Sequence, residues 1–106
     1  MEIIRGTTPT ITANIKDEID FSAIEAIWIY ISQRNRVIID KTTENVDVDS
    51  ENKKFSITLT QEETLRLEAD TSTILQIRIL VAESTAMATK TYPINVLEIY
   101  KGGIIS

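Results

Sequence analysis

Carboxylates would have to carry any acid–base or metal chemistry in this chain, because its 106 residues include neither His nor Cys. Without imidazole there is no ordinary neutral-pH proton shuttle and no Ser-His-Asp arrangement. Zinc would be left with oxygen ligands alone, which disfavours it. The three Gly residues, Gly6, Gly102 and Gly103, build no loop that could cradle a phosphate. Asp47-Val-Asp49-Ser-Glu51 has the opening spacing of an acidic calcium loop. Such a loop needs Gly at its sixth position and Glu at its twelfth, and here those are Asn52 and Thr58. The segment therefore reads as a solvated strand face running into a turn. Asp17, Glu18 and Asp20 could join a metal site or an acid–base pair, but loop polarity and turn formation account for them more simply. Glu62 and Glu63 follow Thr60 at the spacing of a capping box and belong to a helix start. No catalytic, cofactor-binding or metal-binding residue is assigned, no cofactor is expected, and the chain is not expected to be an enzyme.

Recognition chemistry is better represented. In Ile24-Glu-Ala-Ile-Trp-Ile-Tyr-Ile31 the residues alternate, so Ile27, Ile29 and Ile31 share one face and Trp28 and Tyr30 the other. In Thr73 to Glu83, the longest expected strand, Leu75, Ile77, Ile79 and Val81 form an inward row opposite Arg78 and Leu80. If these strands share a sheet, Trp28, Tyr30, Arg78 and Leu80 form one outer patch. Trp, Tyr and Arg are enriched where binding energy concentrates. The simpler alternative is that a loop or a helix over Gln61 to Leu67 covers them.

The elements that must position this patch are mostly strands. Ile, Thr and Val supply 38 residues, whereas six Leu and seven Ala are poor material for a helical bundle. Alternation predicts strands over Glu2 to Arg5, Thr10 to Lys16, Ile24 to Ile31, Arg36 to Lys41, Val46 to Asp49 and Phe55 to Thr60. Further strands are expected over Thr73 to Glu83, Ala86 to Tyr92 and Ile94 to Ile99. Turns are expected at Gly6, Gln33 to Asn35, Ser50 to Lys54 and Ser84-Thr85, and Ser22 to Glu25 could make one capped helical turn. Pro93 has no N–H to give and belongs at an edge or a bulge. The one helix expected is Gln61 to Leu67. Short strands with turn signals about every ten residues suggest a β-sandwich or a barrel. Short strands and the lack of Gly for barrel corners favour the sandwich, a single antiparallel one of 7–8 strands over residues 1–100, immunoglobulin-like in kind, with one short helix. Residues 101–106, Lys101-Gly-Gly-Ile-Ile-Ser106, are expected to be a flexible tail with an apolar tip.

Charge narrows the partners. Eleven basic against sixteen acidic residues give a net charge of −5, and the basic ones are scattered along the chain. Nucleic acid and anionic membranes are not expected partners, since both are held mainly by clustered positive charge. No apolar run has the length of a signal peptide or a membrane span. The absence of Cys fits a reducing compartment. A small-molecule substrate is not expected.

Several segments resemble small phage and prophage proteins from genomes of Gram-positive bacteria. They are Arg5-Gly-Thr-Thr-Pro-Thr10, Ile24 to Gln33, Phe55-Ser-Ile-Thr-Leu-Thr-Gln-Glu-Glu-Thr-Leu65, Leu75-Gln-Ile-Arg-Ile-Leu80 and Lys101-Gly-Gly-Ile-Ile105. The layout is also similar to the N-terminal immunoglobulin-like domain of phage baseplate upper proteins. The resemblance implies a structural or assembly protein of a tail or baseplate. Its partners would be other phage structural proteins or further copies of itself, in the virion or the bacterial cytoplasm. The competing expectation is a soluble binding module that recognises carbohydrate or a host protein through Trp28 and Tyr30. The incomplete acidic loop leads to a first prediction. Millimolar calcium will leave the thermal melting midpoint unchanged, and a saturable upward shift abolished by Asp49→Asn would overturn this reading.

Overall fold

The β-branched bias is realised as two layers of strands. The computed structural model describes residues 1–16, 19–82, 85–89 and 91–99. Asp17, Glu18, Ser84 and the expected tail 101–106 lie outside them. In chain order the strands are β1 (Glu2–Ile4), β2 (Thr10–Asn14), β3 (Ile24–Gln33), β4 (Arg36–Thr42), β5 (Asp47–Asp49) and β6 (Lys54–Thr58). After the helix α1 (Gln61–Leu65) come β7 (Thr73–Val81), β8 (Thr85–Ala88) and β9 (Tyr92–Leu97).

One sheet runs β1-β9-β7-β3-β4, with β8 paired to β7 beyond β9, and the other runs β2-β6-β5. In the lettering of the immunoglobulin sandwich, β2, β6 and β5 stand as B, E and D. Strands β3, β7 and β8–β9 stand as C, F and G, and β4 is the added C′. The chain is an all-β, immunoglobulin-like sandwich. Two details differ from the sequence expectation. β1 pairs with β9 in parallel, so the sandwich is not wholly antiparallel. The described strands also number nine, one for each segment the alternation marks, and the division beside β7 falls between Ala88 and Tyr92 rather than at Pro93.

That break is a one-residue bulge. Arg78 faces Ala88 while Leu75 faces Tyr92, so three steps along β7 are matched by four on the other side. At the break the Thr89 N–H donates to the Ile77 carbonyl at 2.9 Å. The Thr89 hydroxyl accepts from the Ile77 N–H at 3.2 Å, where a backbone carbonyl would ordinarily stand. The bulge precedes Pro93, which sits inside β9 opposite Ile74. β1 begins pairing only at Asn95, so no partner strand asks Pro93 for an N–H.

The core fills from the inner faces of both sheets. Twelve of its nineteen buried apolar residues are Ile, with Phe55, Leu59, Leu67 and Leu75 among the rest. The Phe21 ring stands 5.2 Å from Phe55 and lies in a 3-10 turn at Phe21–Ala23. That turn is capped by Asp20, two residues earlier in the chain than the Ser22 start the sequence suggests. Val81 and Val48 fill less of the interior than their pattern implies. Val81 is half-buried near the end of β7, and Val48 is 46 % exposed on the short edge strand β5.

The connection from β6 to β7 locks the sheets together. Thr60 and Glu63 form the expected capping box, and α1 stops at Leu65 so that Leu67 can enter the core. Thr64, fully buried, accepts at its hydroxyl from the Gly6 N–H at 3.0 Å. The same hydroxyl lies within donor distance of the Thr7 and Gln61 carbonyls, at 3.0 and 3.1 Å. Gly6 has φ 77°, which a residue with a Cβ adopts only at a cost. Arg5 adds ion-pair contact with Glu98 and a 3.0 Å donation to the Leu65 carbonyl. On the far side Lys41 of β4 reaches Glu63 at 2.8 Å, with only 12 % and 16 % of the two side chains exposed.

Thr64→Val keeps the volume but strands the Gly6 N–H, and will cost about 1–3 kcal/mol in denaturant unfolding, while Thr64→Ser retains most of the stability. Burial acts to raise the Glu63 pKa, but the hydrogen bonds from Lys41 and the Thr60 N–H, with the Lys41 charge, outweigh it and hold it below the ordinary carboxylate value. A depressed folded-state pKa stabilises above the unfolded value, and that contribution is lost as pH falls through the folded one. Glu63→Gln will therefore cost about 1–2 kcal/mol near neutrality, and the gap to the parent will close below about pH 4. A gap independent of pH would mean that the charge contributes nothing.

Candidate functional site

The register of β3 decides what reaches the outer face of the larger sheet. Trp28 pairs with Arg78 on β7 and with Thr42 on β4, and Tyr30 pairs with Gln76 and Asp40. Ala26 pairs with Leu80, which in turn pairs with Ala86. All these residues lie opposite the buried Ile27, Ile29, Ile31, Ile77 and Ile79. The four residues singled out from the sequence are thus brought together. With Ile79 and Ala86 they line a shallow depression of about 170 Å³. Trp28, Tyr30 and Leu80 are half-buried by their neighbours on the sheet, and Arg78 is exposed. The helix α1 does not cover them: its Glu63 is held by Lys41, which pairs with the buried Ile29 and so projects from the inner face of the sheet.

Trp28 departs from the immunoglobulin pattern in a telling way. In antibody domains the Trp of this strand is buried against an inter-sheet disulfide. Here the inner positions are taken by Ile and no Cys exists, so the indole stands on the outside.

Further apolar residues share this face, and reasoning from single strands missed them. Ser32 pairs with both Val37 and Ile74, and Ile74 with Pro93, which makes a cross-strand row. Val37 is 55 % and Ile74 37 % exposed. Val37 reaches this face because a bulge after Ile31 shifts its register, which the residue types do not announce. Each strand contributes one or two such residues, and only pairing collects them.

The opposite face of the sandwich is built differently. There Thr10 meets Thr58 with hydroxyls 3.0 Å apart, and Thr12 meets Ser56 at 2.9 Å. Asn14 pairs with Lys54, and Asp47 and Asp49 border them on β5. No large apolar side chain interrupts that set of cross-strand pairs.

The carboxylates considered from the sequence have local duties. Asp20 accepts from the Ser22 hydroxyl and N–H, which hold its carboxyl below the usual range. Asp49 accepts from the Asn52 side chain and N–H, with the same effect, and so closes the turn before Lys53 (φ 54°). Among the described residues no three His, Cys, Asp or Glu side chains gather as metal ligands would. Nor is any helix among them long and apolar enough to cross a membrane.

The scatter of basic residues along the chain is partly undone in space. Arg34, Arg36 and Arg66 line one small cleft with Ile38, Gln33 and Glu68. Arg34 is paired with Glu68 at 2.9 Å and Arg66 with Glu62 at 3.7 Å, so two of the three charges already have carboxylate neighbours.

No protein-family model matches the chain, and no curated protein matches it. Among solved structures it is similar to the V domain of amphioxus IgVJ-C2, at 10 % sequence identity and a TM-score of 0.37, covering 92 % of this chain and 99 % of that one. The immunoglobulin-like assignment rests on the strand order and pairing described above, not on that superposition.

Proposed function

We propose that this chain is a non-enzymatic structural or assembly protein of a phage or prophage tail or baseplate. It works through protein–protein contacts made by the outer face of the larger sheet. The observation that carries the contact surface is the difference between the two outer faces. One is a set of paired hydroxyls and charges, whereas the other carries the half-buried Trp28, Tyr30 and Leu80 beside the exposed Ile74 and Val37. Exposed apolar area of that kind marks an interaction site, and its aromatic centre is where binding energy concentrates. The tail or baseplate role is supported by the sequence resemblance. A place in the virion or the bacterial cytoplasm, with other phage structural proteins as partners, belongs to the same proposal.

A soluble module for carbohydrate or a host protein is favoured by one feature, the depression beneath Trp28 and Tyr30, since aromatic faces suit sugar rings. Two measurements separate the readings. Gold-labelled antibody against this chain, applied to virions from an induced lysogen, will decorate tails or baseplates. Bare particles from a lysate that contains the free chain would sink the structural role. Trp28→Ala will weaken attachment to the particle by about 2 kcal/mol or more, roughly thirtyfold, without lowering the melting midpoint. Glycan-array binding lost in the same variant would favour the second reading.

A further inference from the structure

We infer that the outer face of the larger sheet docks against the same face of a second copy of this chain, about a two-fold axis that crosses β3 between Trp28 and Tyr30. The inference rests on the proposed use of that face and names one occupant for it. The reason is the placement of charge. Among the described residues that pair across β8, β7, β3 and β4, two charged ones fall on this face, Arg78 and Asp40. Arg78 lies beside Trp28 on one flank, and Asp40 lies beside Tyr30 on the other. Neither makes an ion pair or a side-chain hydrogen bond among the described residues.

They stand two strands and one side-chain step apart, about 10 Å across the sheet and about 7 Å along it. A two-fold axis in the interface, inclined to β3, exchanges the two positions. It sets Arg78 of each copy over Asp40 of the other. Trp28 and Tyr30 then meet their counterparts at the centre. A two-fold contact requires this kind of self-complementarity, in which one residue faces a second and the second faces the first.

Net charge supports the same occupant. The whole chain carries −5, so two copies repel at most approaches. The two charges that strand pairing places on this face among the described residues, Arg78 and Asp40, cancel, and they attract in the two-fold arrangement. Four strands about 4.8 Å apart and about seven residues long present a face near 19 by 24 Å, about 450 Å² on each copy, which is the size of a weak, reversible contact.

Charge reversal in the full-length chain tests this, read by sedimentation equilibrium and native mass spectrometry at low salt. The parent is expected to be a dimer at roughly 100 µM. Arg78→Asp alone and Asp40→Arg alone will each raise the dimer dissociation constant roughly tenfold or more, because each sets like charges together twice. The double variant Arg78→Asp/Asp40→Arg will return to within roughly threefold of the parent. Both positions are exposed, and unchanged melting midpoints will show that folding is intact. A monomeric parent at that concentration overturns the two-fold contact, as does a dimer that ignores both reversals or is not rescued by the double variant. Any of these results would leave the tail or baseplate reading standing if Trp28→Ala still weakened attachment to the particle. Particles that bind no chain, with the double variant restoring the dimer, would remove that reading and keep this one.

Discussion

The pairing of β3 with β7 is the constraint on which the remainder of the molecule depends. It runs from Gln33 opposite Thr73 to Ile24 opposite Val81 and forms the middle of the larger sheet. Side chains on a strand alternate with a period of two, so sliding this pair by one residue would turn the inner isoleucines out and the Trp28 face in. The core and the candidate contact face are therefore two readings of one register. Gln33 helps to hold that register. Its buried amide donates to the Glu68 carbonyl and the Thr73 hydroxyl, at 2.9 and 2.8 Å, and its carbonyl accepts from the Glu68 N–H at 3.0 Å. Moving the strand one step would leave that amide buried without partners, a cost of a few kcal/mol.

The second sheet is joined to the first mostly by packing, and packing of branched aliphatic residues is tolerant of small slides. Directional bonds remove that tolerance at the β6–β7 corner. In antibody domains a Tyr hydroxyl near this corner bonds back to the backbone upstream. Thr64 takes an analogous part here, tying α1 to the Gly6 turn between β1 and β2. The backbone continues the tie, with the Leu59 N–H donating to the Pro9 carbonyl at 3.0 Å. Arg5-Gly-Thr-Thr-Pro-Thr10 and Thr60-Gln-Glu-Glu-Thr64 are thus two halves of one structural joint. Motifs made of turn formers and hydroxyls persist for geometric reasons of this sort without marking a chemical site.

Much of this was legible in the residues. Alternation gave the strands, since each half-buried strand writes its own inward row, and Thr60 and Glu63 gave the helix start to the residue. Trp28, Tyr30, Arg78 and Leu80 could be grouped because they oppose two long, unambiguous inward rows. What escaped were features that belong to pairs of segments. Val37 joins the outer face only through a bulge at Ile31/Ser32. The break before Pro93 falls where the Thr89 hydroxyl can replace a ladder carbonyl, and Thr is common enough in this chain that nothing singles out that one. The parallel β1–β9 pair was equally hidden, because a three-residue strand carries too little pattern to fix its direction. Asp40 was missed for a related reason. On its own strand it is an ordinary exposed acid, and it gains meaning only from the strand between it and Arg78.

The edges of the two sheets bear on why the broad face, rather than strand addition, is the plausible surface for contact. β5 closes the smaller sheet with only three residues, two of them Asp, which discourages a further strand from pairing there. β1 closes one side of the larger sheet and is equally short. β4 on the other side is longer, but it begins with Arg36 and carries Asp40 and Lys41 along its length. Charges of both signs on an edge are a common guard against unplanned pairing. The outer face lacks such protection over its aromatic centre, where Ala26, Ala86 and Ala88 keep the surroundings of Trp28 low. β2, the other edge of the smaller sheet, carries no charge, so the edges are guarded only in part. The outer face of the larger sheet offers a broad apolar route to association. That route preserves the register of β3 and β7, because it asks nothing of the backbone.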